Sequence, residues 1–159
     1  METMLWHLLA SPAKGTTSTA GFGLEPATAI VEQSRAKSEA DRQIERLNSL
    51  RGAASGWAGP GSSAPDKSSL QAAVDLIRRL KNLPLPIPMA SIGSDGNAGL
   101  FWSDDRIYAD LEVFPDGRIG YLLQLAGRDP IDSEEDLPSS GLPPAIAIAL
   151  ATAYLSNER

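Results

Sequence analysis

Four short apolar segments separated by turn sequences most constrain the fold of this chain. They occupy residues 89–92, 99–102, 106–114 and 119–125. The intervening turns read SDGN, SDD and PDG, and their Asp-Gly pairs supply the positive φ angles that tight hairpins require. Apolar and polar residues alternate in the last two segments, as is typical of strands with one covered face. The pattern predicts an antiparallel β-meander of three or four strands.

The alternation also predicts which side chains share a face of this sheet. In the third segment one face carries Ile107, Ala109, Leu111 and Val113, and the other carries Tyr108, Asp110, Glu112 and Phe114. Because Trp102 follows Phe101 directly, one of the two must face outward unless both sides of the sheet are covered. We expect Tyr108, Phe114 and one member of that pair to form an exposed aromatic patch.

Two helices are predicted in the body of the chain, on either side of the meander. Residues 66–82 carry apolar residues at helical spacing, and Pro84 ends the pattern. Residues 144–156 read AIAIALATAYL after Pro143-Pro144, so this helix should be largely buried with Ile146, Leu150 and Tyr154 pointing inward. The predicted fold class is therefore α+β, with helices packed on one face of the meander.

The N-terminal third differs in composition from the rest. Residues 1–24 combine a short apolar patch with Gly/Thr/Ser/Ala sequence and predict a flexible arm. Residues 25–51 predict a charged helical extension, with its helix at 26–51, which is too polar in its middle to lie deep in a core. Self-association of that helix would use Ile30, Ala40, Ile44 and Leu47. The folded body is expected at residues 53–156.

Charge and composition exclude several classes of function. The formal net charge is −6, with 20 acidic against 14 Lys and Arg residues. This balance argues against nucleic-acid and anionic-membrane binding but suits a basic protein partner. No cysteine is present, which excludes disulfides, thiolate nucleophiles and Cys-based metal sites. With no apolar run long enough for a membrane span and no basic start typical of a signal peptide, we expect a cytoplasmic protein.

No catalytic, cofactor or metal motif stands out. The single histidine, His7, lies in the predicted arm without a neighbouring carboxylate. Asp104, Asp105, Asp110 and Glu112 leave open a carboxylate-dependent, metal-assisted hydrolase, although turns and outer sheet faces carry such residues in any case. Residues 129–136 predict a solvated acidic loop.

The sequence from Gly56 to Tyr121 combines a Trp-containing glycine loop (Trp57-Ala58-Gly59), an amphipathic helix, a proline-rich strip (Pro84–Pro88) and a hairpin leading from Asp95-Gly96 to Trp102. In this combination it resembles small uncharacterised bacterial proteins encoded near toxin–antitoxin or mobile-element genes. The resemblance implies an accessory or partner-binding role and carries over no catalytic residues.

The hypothesis that combines these observations is a non-enzymatic protein-interaction module without a cofactor. Its concrete version neutralises or regulates a basic partner such as a toxin, with acidic residues steering association and aromatic residues anchoring it. The candidate partner-binding residues are Trp57, Trp102, Tyr108, Phe114, Asp132, Glu134 and Glu135. The alternatives are the carboxylate-dependent hydrolase and a structural subunit that self-assembles through residues 26–51.

Overall fold

A computed structural model of the chain describes residues 37–156, which contain three helices and five strands. In chain order they are α1 (Glu39–Ser49), α2 (Lys67–Leu80), β1 (Met89–Ile92), β2 (Ala98–Ser103), β3 (Ile107–Val113), β4 (Arg118–Leu125), β5 (Ile131–Asp136) and α3 (Pro144–Leu155). The predicted α+β class is confirmed. None of these helices has the length and apolar character that crossing a membrane requires.

The strands form one antiparallel sheet in the order β1-β2-β3-β4-β5, so each strand pairs with its neighbours in the chain. This is the meander that the alternation predicts. Gly96 and Gly117 occupy the tight turns β1–β2 and β3–β4 with φ of +94° and +88°. At Gly96 an added Cβ would also lie 2.4 Å from the Ala64 carbonyl oxygen, because the loop before α2 passes directly over this turn.

The sheet has one strand more than expected, because the segment predicted as an acidic loop is β5; that part of the prediction is wrong. β5 pairs along β4 with Ile131 opposite Leu123, Glu134 opposite Gly120 and Asp136 opposite Arg118. Its sequence IDSEED is poor in residues that favour strands. The backbone hydrogen bonds to β4 form without regard to side chains, and Arg118 forms an ion pair with Glu134 across the two strands.

The core lies between the helices and one face of the sheet. That face contributes Ala90, Leu100, Trp102, Ala109, Leu111, Val113, Ile119, Tyr121 and Leu123, all buried. On α2 the predicted apolar positions are buried, and the helix begins where the Asp66 side chain accepts a hydrogen bond from the Ser69 N–H at 2.8 Å. On α3, Ile146 and Leu150 are fully buried and Tyr154 is half-buried, as predicted. The prediction that the whole helix is largely buried is wrong, because Ile148 is 67% exposed and Leu155 is 45% exposed.

The first described helix, α1, packs against α2 and β1 through the buried Ala40 and Leu47. The Gln43 side chain accepts a hydrogen bond from the Ala90 N–H at 2.9 Å, which joins α1 to the edge strand. Residues 39–49 of the predicted extension thus contribute to the same core as residues 53–156. The arm at 1–24 and residues 25–36 lie outside the described residues.

Candidate functional site

The face of the sheet opposite the helices is open, and its middle row runs across all five strands. The register aligns Met89, Phe101, Asp110, Leu122 and Asp132 side by side. Met89 is 48% exposed and Leu122 38% exposed, which is high for large apolar side chains in a sheet. The row therefore presents an apolar stripe with carboxylates in its middle and at its β5 end.

The neighbouring row has little side-chain volume, because two of its members are glycines. It aligns Ser91, Gly99, Glu112, Gly120 and Glu134. The Phe114 ring fills the space over Gly120, where an added Cβ would lie 3.2 Å from the ring edge. Phe114 thus packs over Gly120 and is half-buried on the open face.

Most of the charged strand residues on this open face are acidic. Their carboxylates belong to Asp110, Glu112, Asp132, Glu134 and Asp136. Arg118 is the one basic residue among them; it stacks over the Phe114 ring at 5.6 Å and pairs with Asp116 and Glu134. Asp110 and Asp132 have no ion pair within residues 37–156. The face therefore carries a negative potential over an apolar stripe.

Tyr108 belongs to the open face, as predicted. It is 38% exposed, and its hydroxyl donates to Asp110 Oδ2 at 3.4 Å. The negative charge of Asp110, together with burial and this hydrogen bond, raises the pKa of Tyr108. The phenol consequently remains an uncharged donor at neutral pH, next to the carboxylate.

The prediction that Trp102 lies on a partner-binding surface is wrong. Trp102 lies on the covered face and is only 4% exposed, with its indole N–H donating to the Pro86 carbonyl at 2.8 Å. Its neighbour Phe101 is the outward member of the pair. The helices cover one side of β2 only, and the Pro86 carbonyl supplies the partner that a buried indole N–H requires.

Trp57 lies in the loop between α1 and α2 and is half-buried. Its indole N–H donates to the Ser63 carbonyl at 3.0 Å, within the same loop. The Ser63 N–H in turn donates to the Ser94 carbonyl of the β1–β2 turn at 2.7 Å. The Trp57 loop is therefore held against that end of the sheet.

The acidic candidates on β5 divide between the two faces. Asp132 and Glu134 lie on the open face, whereas Glu135 is opposite Ile119 and points to the covered side. Its Oε1 atom is buried and has no hydrogen-bond partner in the described part of the chain. Glu135 therefore does not share a surface with Asp132 and Glu134.

A shallow cleft of about 350 Å³ lies at the β1–β2 end of the open face and contains a carboxyl pair. The Asn97 amide donates to Asp95 at 2.9 Å and to Glu112 at 2.8 Å. This amide lowers the pKa of Glu112, but burial and the hydrogen bond to Asp95 outweigh it, so the net pKa is raised. Burial opposes ionisation of Asp95, yet its hydrogen bonds to Glu112 and Asn97 lower its pKa overall. The opposite directions of the two shifts mean that, within this pair, Glu112 binds a proton more readily than Asp95.

The four carboxylates of the hydrolase alternative do not converge. Asp104 lies in the β2–β3 turn, where it accepts hydrogen bonds from the Arg106 N–H at 2.8 Å and the Tyr154 hydroxyl at 2.5 Å. Asp104 lies beside Ile107, and Glu112 is five residues further along β3, so the two carboxylates are about 17 Å apart by the rise of a strand. Within residues 37–156 no group of three or more acids or histidines is placed to hold a metal ion.

Met89 and Leu122 are the open-face residues that the sequence prediction missed. Leu122 falls at an outward position of the fourth segment, between Tyr121 and Leu123, and the period of two locates it correctly. Met89 begins a strand of four residues, which is too short to reveal its own alternation.

Comparison of the chain with family models, curated proteins and solved structures returned no match in any of the three.

Proposed function

We propose that this chain is a non-enzymatic protein-interaction module that binds a basic partner through the open face of its sheet. The observation that carries the proposal is an apolar stripe aligned with two carboxylates that form no ion pair in the described part of the chain, Asp110 and Asp132. The stripe consists of the exposed Met89 and Leu122 and the half-buried Phe101. Exposed apolar residues with a charged rim are characteristic of protein interfaces.

The chemistry of the partner follows from the charge of the face. Lysine and arginine side chains of a partner would meet Asp110, Asp132 and Glu134, while its apolar residues would cover Met89 and Leu122. Complementary charge of this kind accelerates association more than it strengthens the final complex. A toxin neutraliser is the concrete version of this proposal, and it rests on the resemblance of Gly56–Tyr121 to proteins encoded near toxin–antitoxin genes.

The test compares full-length variants in affinity capture from a lysate of the source cells. Leu122→Asp and the pair Asp132→Lys with Glu134→Lys change exposed positions, whereas Glu45→Lys on α1 changes an exposed charge away from the sheet. We expect one stoichiometric basic protein with the wild type and with Glu45→Lys, and its loss with both open-face variants.

The kinetics of the purified complex supply the second criterion. The association rate should fall as salt rises from about 0.05 to 0.3 M, because screening shortens the reach of the charges. A partner that both open-face variants retain, or an association rate independent of salt, would refute the proposal.

A further inference from the structure

A groove of about 710 Å³ lies between α3 and the ends of β4 and β5, on the opposite side of the sheet from the open face. Leu123 and Leu125 of β4, Ile131 of β5 and Ile148 of α3 line it. Its volume lies within the range of small-molecule sites, roughly 300–1,000 Å³, and its lining is predominantly apolar as in such sites.

The helix that forms one wall is more apolar than its packing requires. α3 carries no charged side chain, and Ile146 and Leu150 already fill its contact with the sheet. Ile148, at the groove, is nevertheless 67% exposed, and Ile131 across from it is 47% exposed. Exposed aliphatic side chains on facing walls favour an apolar occupant, since filling the groove removes their surface from water.

Two arginines lie together at one end of the groove. Arg106 and Arg128 both line the groove. Arg106 comes just before β3, where Ile107 pairs with Leu125, and the Arg128 N–H donates to the Leu125 carbonyl at 3.1 Å. The Arg106 guanidinium donates to the Ala153 carbonyl at 3.3 Å and stacks over the Tyr154 ring at 5.4 Å. These contacts fix Arg106 at the C-terminal end of α3.

Asp104 lies near Arg106 and attracts it electrostatically, but other donors occupy the Asp104 oxygens. Asp104 is engaged by the Tyr154 hydroxyl at 2.5 Å and by the backbone N–H of Ile107 at 3.1 Å. Within residues 37–156 neither Arg106 nor Arg128 forms an ion pair, although Asp105 and Asp129 are adjacent in sequence. In an acidic chain, two unpaired arginines at one apolar groove favour an anionic group there.

We propose that the groove binds a single-chain carboxylate amphiphile of the fatty-acid type. The carboxylate lies between Arg106 and Arg128, and the hydrocarbon chain runs along α3 toward Ala145. The eight helical rises from Ala145 to Ala153 span about 12 Å, which suits a hydrocarbon chain of medium length. This site is independent of the open face and of the partner proposed for it.

The experiment is equilibrium dialysis of the full chain against radiolabelled decanoate, below its micellar concentration. We expect saturable binding of one molecule per chain, with octanoate weaker by up to roughly fourfold per methylene removed. Arg106→Gln combined with Arg128→Gln should weaken decanoate binding by on the order of tenfold or more, through loss of charge-assisted hydrogen bonds. Decyltrimethylammonium, with an equal chain and opposite charge, should bind far more weakly.

Two further variants address the apolar part of the site. Ile148→Asp and Thr152→Trp change exposed positions at the groove, so the fold should tolerate them while the groove loses its apolar wall or its volume. Both should abolish decanoate binding, and the matched control Arg78→Gln, exposed on α2, should leave it unchanged.

Three results would overturn the proposal: no saturable binding by the wild type, equal binding by the double arginine variant, or equal binding of the cationic amphiphile. A fourth is a wild-type dimer in sedimentation velocity that Ile148→Asp converts to a monomer. That result would assign the groove to a second copy of the chain.

Discussion

The Ser69 hydroxyl of α2 donates to the Val113 carbonyl of β3 at 2.6 Å and joins the helix to the sheet inside the core. The same oxygen accepts from the Ala98 N–H of β2 at 2.7 Å, and Ala98 and Val113 are register partners. One fully buried hydroxyl thus satisfies two backbone groups at the end of a ladder.

Ser69→Ala should lower the free energy of unfolding by about 1–3 kcal/mol, because it leaves a buried donor and a buried acceptor without partners. Urea denaturation followed by circular dichroism measures this change. Ser68→Ala, at the exposed neighbouring position of the same helix, is the control and should change the stability little. Equal effects of the two substitutions would mean that water replaces the Ser69 hydroxyl.

Gly96→Ala should destabilise the fold more than Gly117→Ala. Both positions have positive φ, so alanine at either should cost about 1–2 kcal/mol. Only at Gly96 does the added Cβ also meet a backbone oxygen, that of Ala64 at 2.4 Å, while nothing lies within 4 Å at Gly117. Comparison of the two denaturation midpoints isolates the cost of this close approach, and equal midpoints would contradict it.

The contact between Tyr154 and Asp104 should make stability fall at alkaline pH. Burial, and then the hydrogen bond to Asp104, raise the pKa of Tyr154 to about 12. A phenol in the unfolded chain ionises near pH 10, so between about pH 10 and 12 the unfolded state loses this proton first. The Tyr154 contribution is therefore complete below about pH 10 and is lost as pH approaches about 12.

Tyr154→Phe should flatten the decline of the unfolding free energy over this range, measured by urea denaturation at each pH. At neutral pH the variant should be less stable than the wild type, because α3 loses its bond to the β2–β3 turn. A slope that the substitution leaves unchanged would assign the alkaline decline to other groups, such as Tyr108.

The carboxyl pair Asp95–Glu112 should titrate in two separated steps. The pKa of Glu112 is raised and that of Asp95 is lowered. The side-chain carboxyl ¹³C chemical shift of Asp95 should therefore change at a lower pH than that of Glu112. Asp95→Asn removes the neighbouring negative charge, so the pKa of Glu112 should fall. A Glu112 titration that the substitution does not alter would show that the two groups do not interact.

Linkage gives the sign of the effect of this pair on stability. Glu112, with a raised pKa, stabilises the fold below its ordinary pKa and loses that contribution as pH rises through the folded value. Asp95, with a lowered pKa, stabilises the fold above its ordinary pKa and loses that contribution as pH falls. Asp95→Asn should therefore reduce the loss of stability in acid.

Features that depend on neighbouring residues in the chain follow from the sequence alone. The period of two, with Asp-Gly at the turns, specifies the meander from 89 to 125, because side chains of a strand alternate and these turns need positive φ. Helical spacing specifies α2, and the apolar character of α3 specifies the burial of Ile146 and Leu150. The two periods follow from the local geometry of strands and helices.

Features that depend on pairing between distant segments were decided by the tertiary structure. The acidic segment 131–136 is a strand because it pairs with the free edge of β4. This pairing uses backbone N–H and C=O groups, so the side chains of the segment do not reveal it. Trp102 faces inward and Phe101 outward because the helices cover only one side of β2. The open-face row from Met89 to Asp132 and the placement of Arg106 and Arg128 at one groove both require the register of the strands, which alternation within a single strand does not specify.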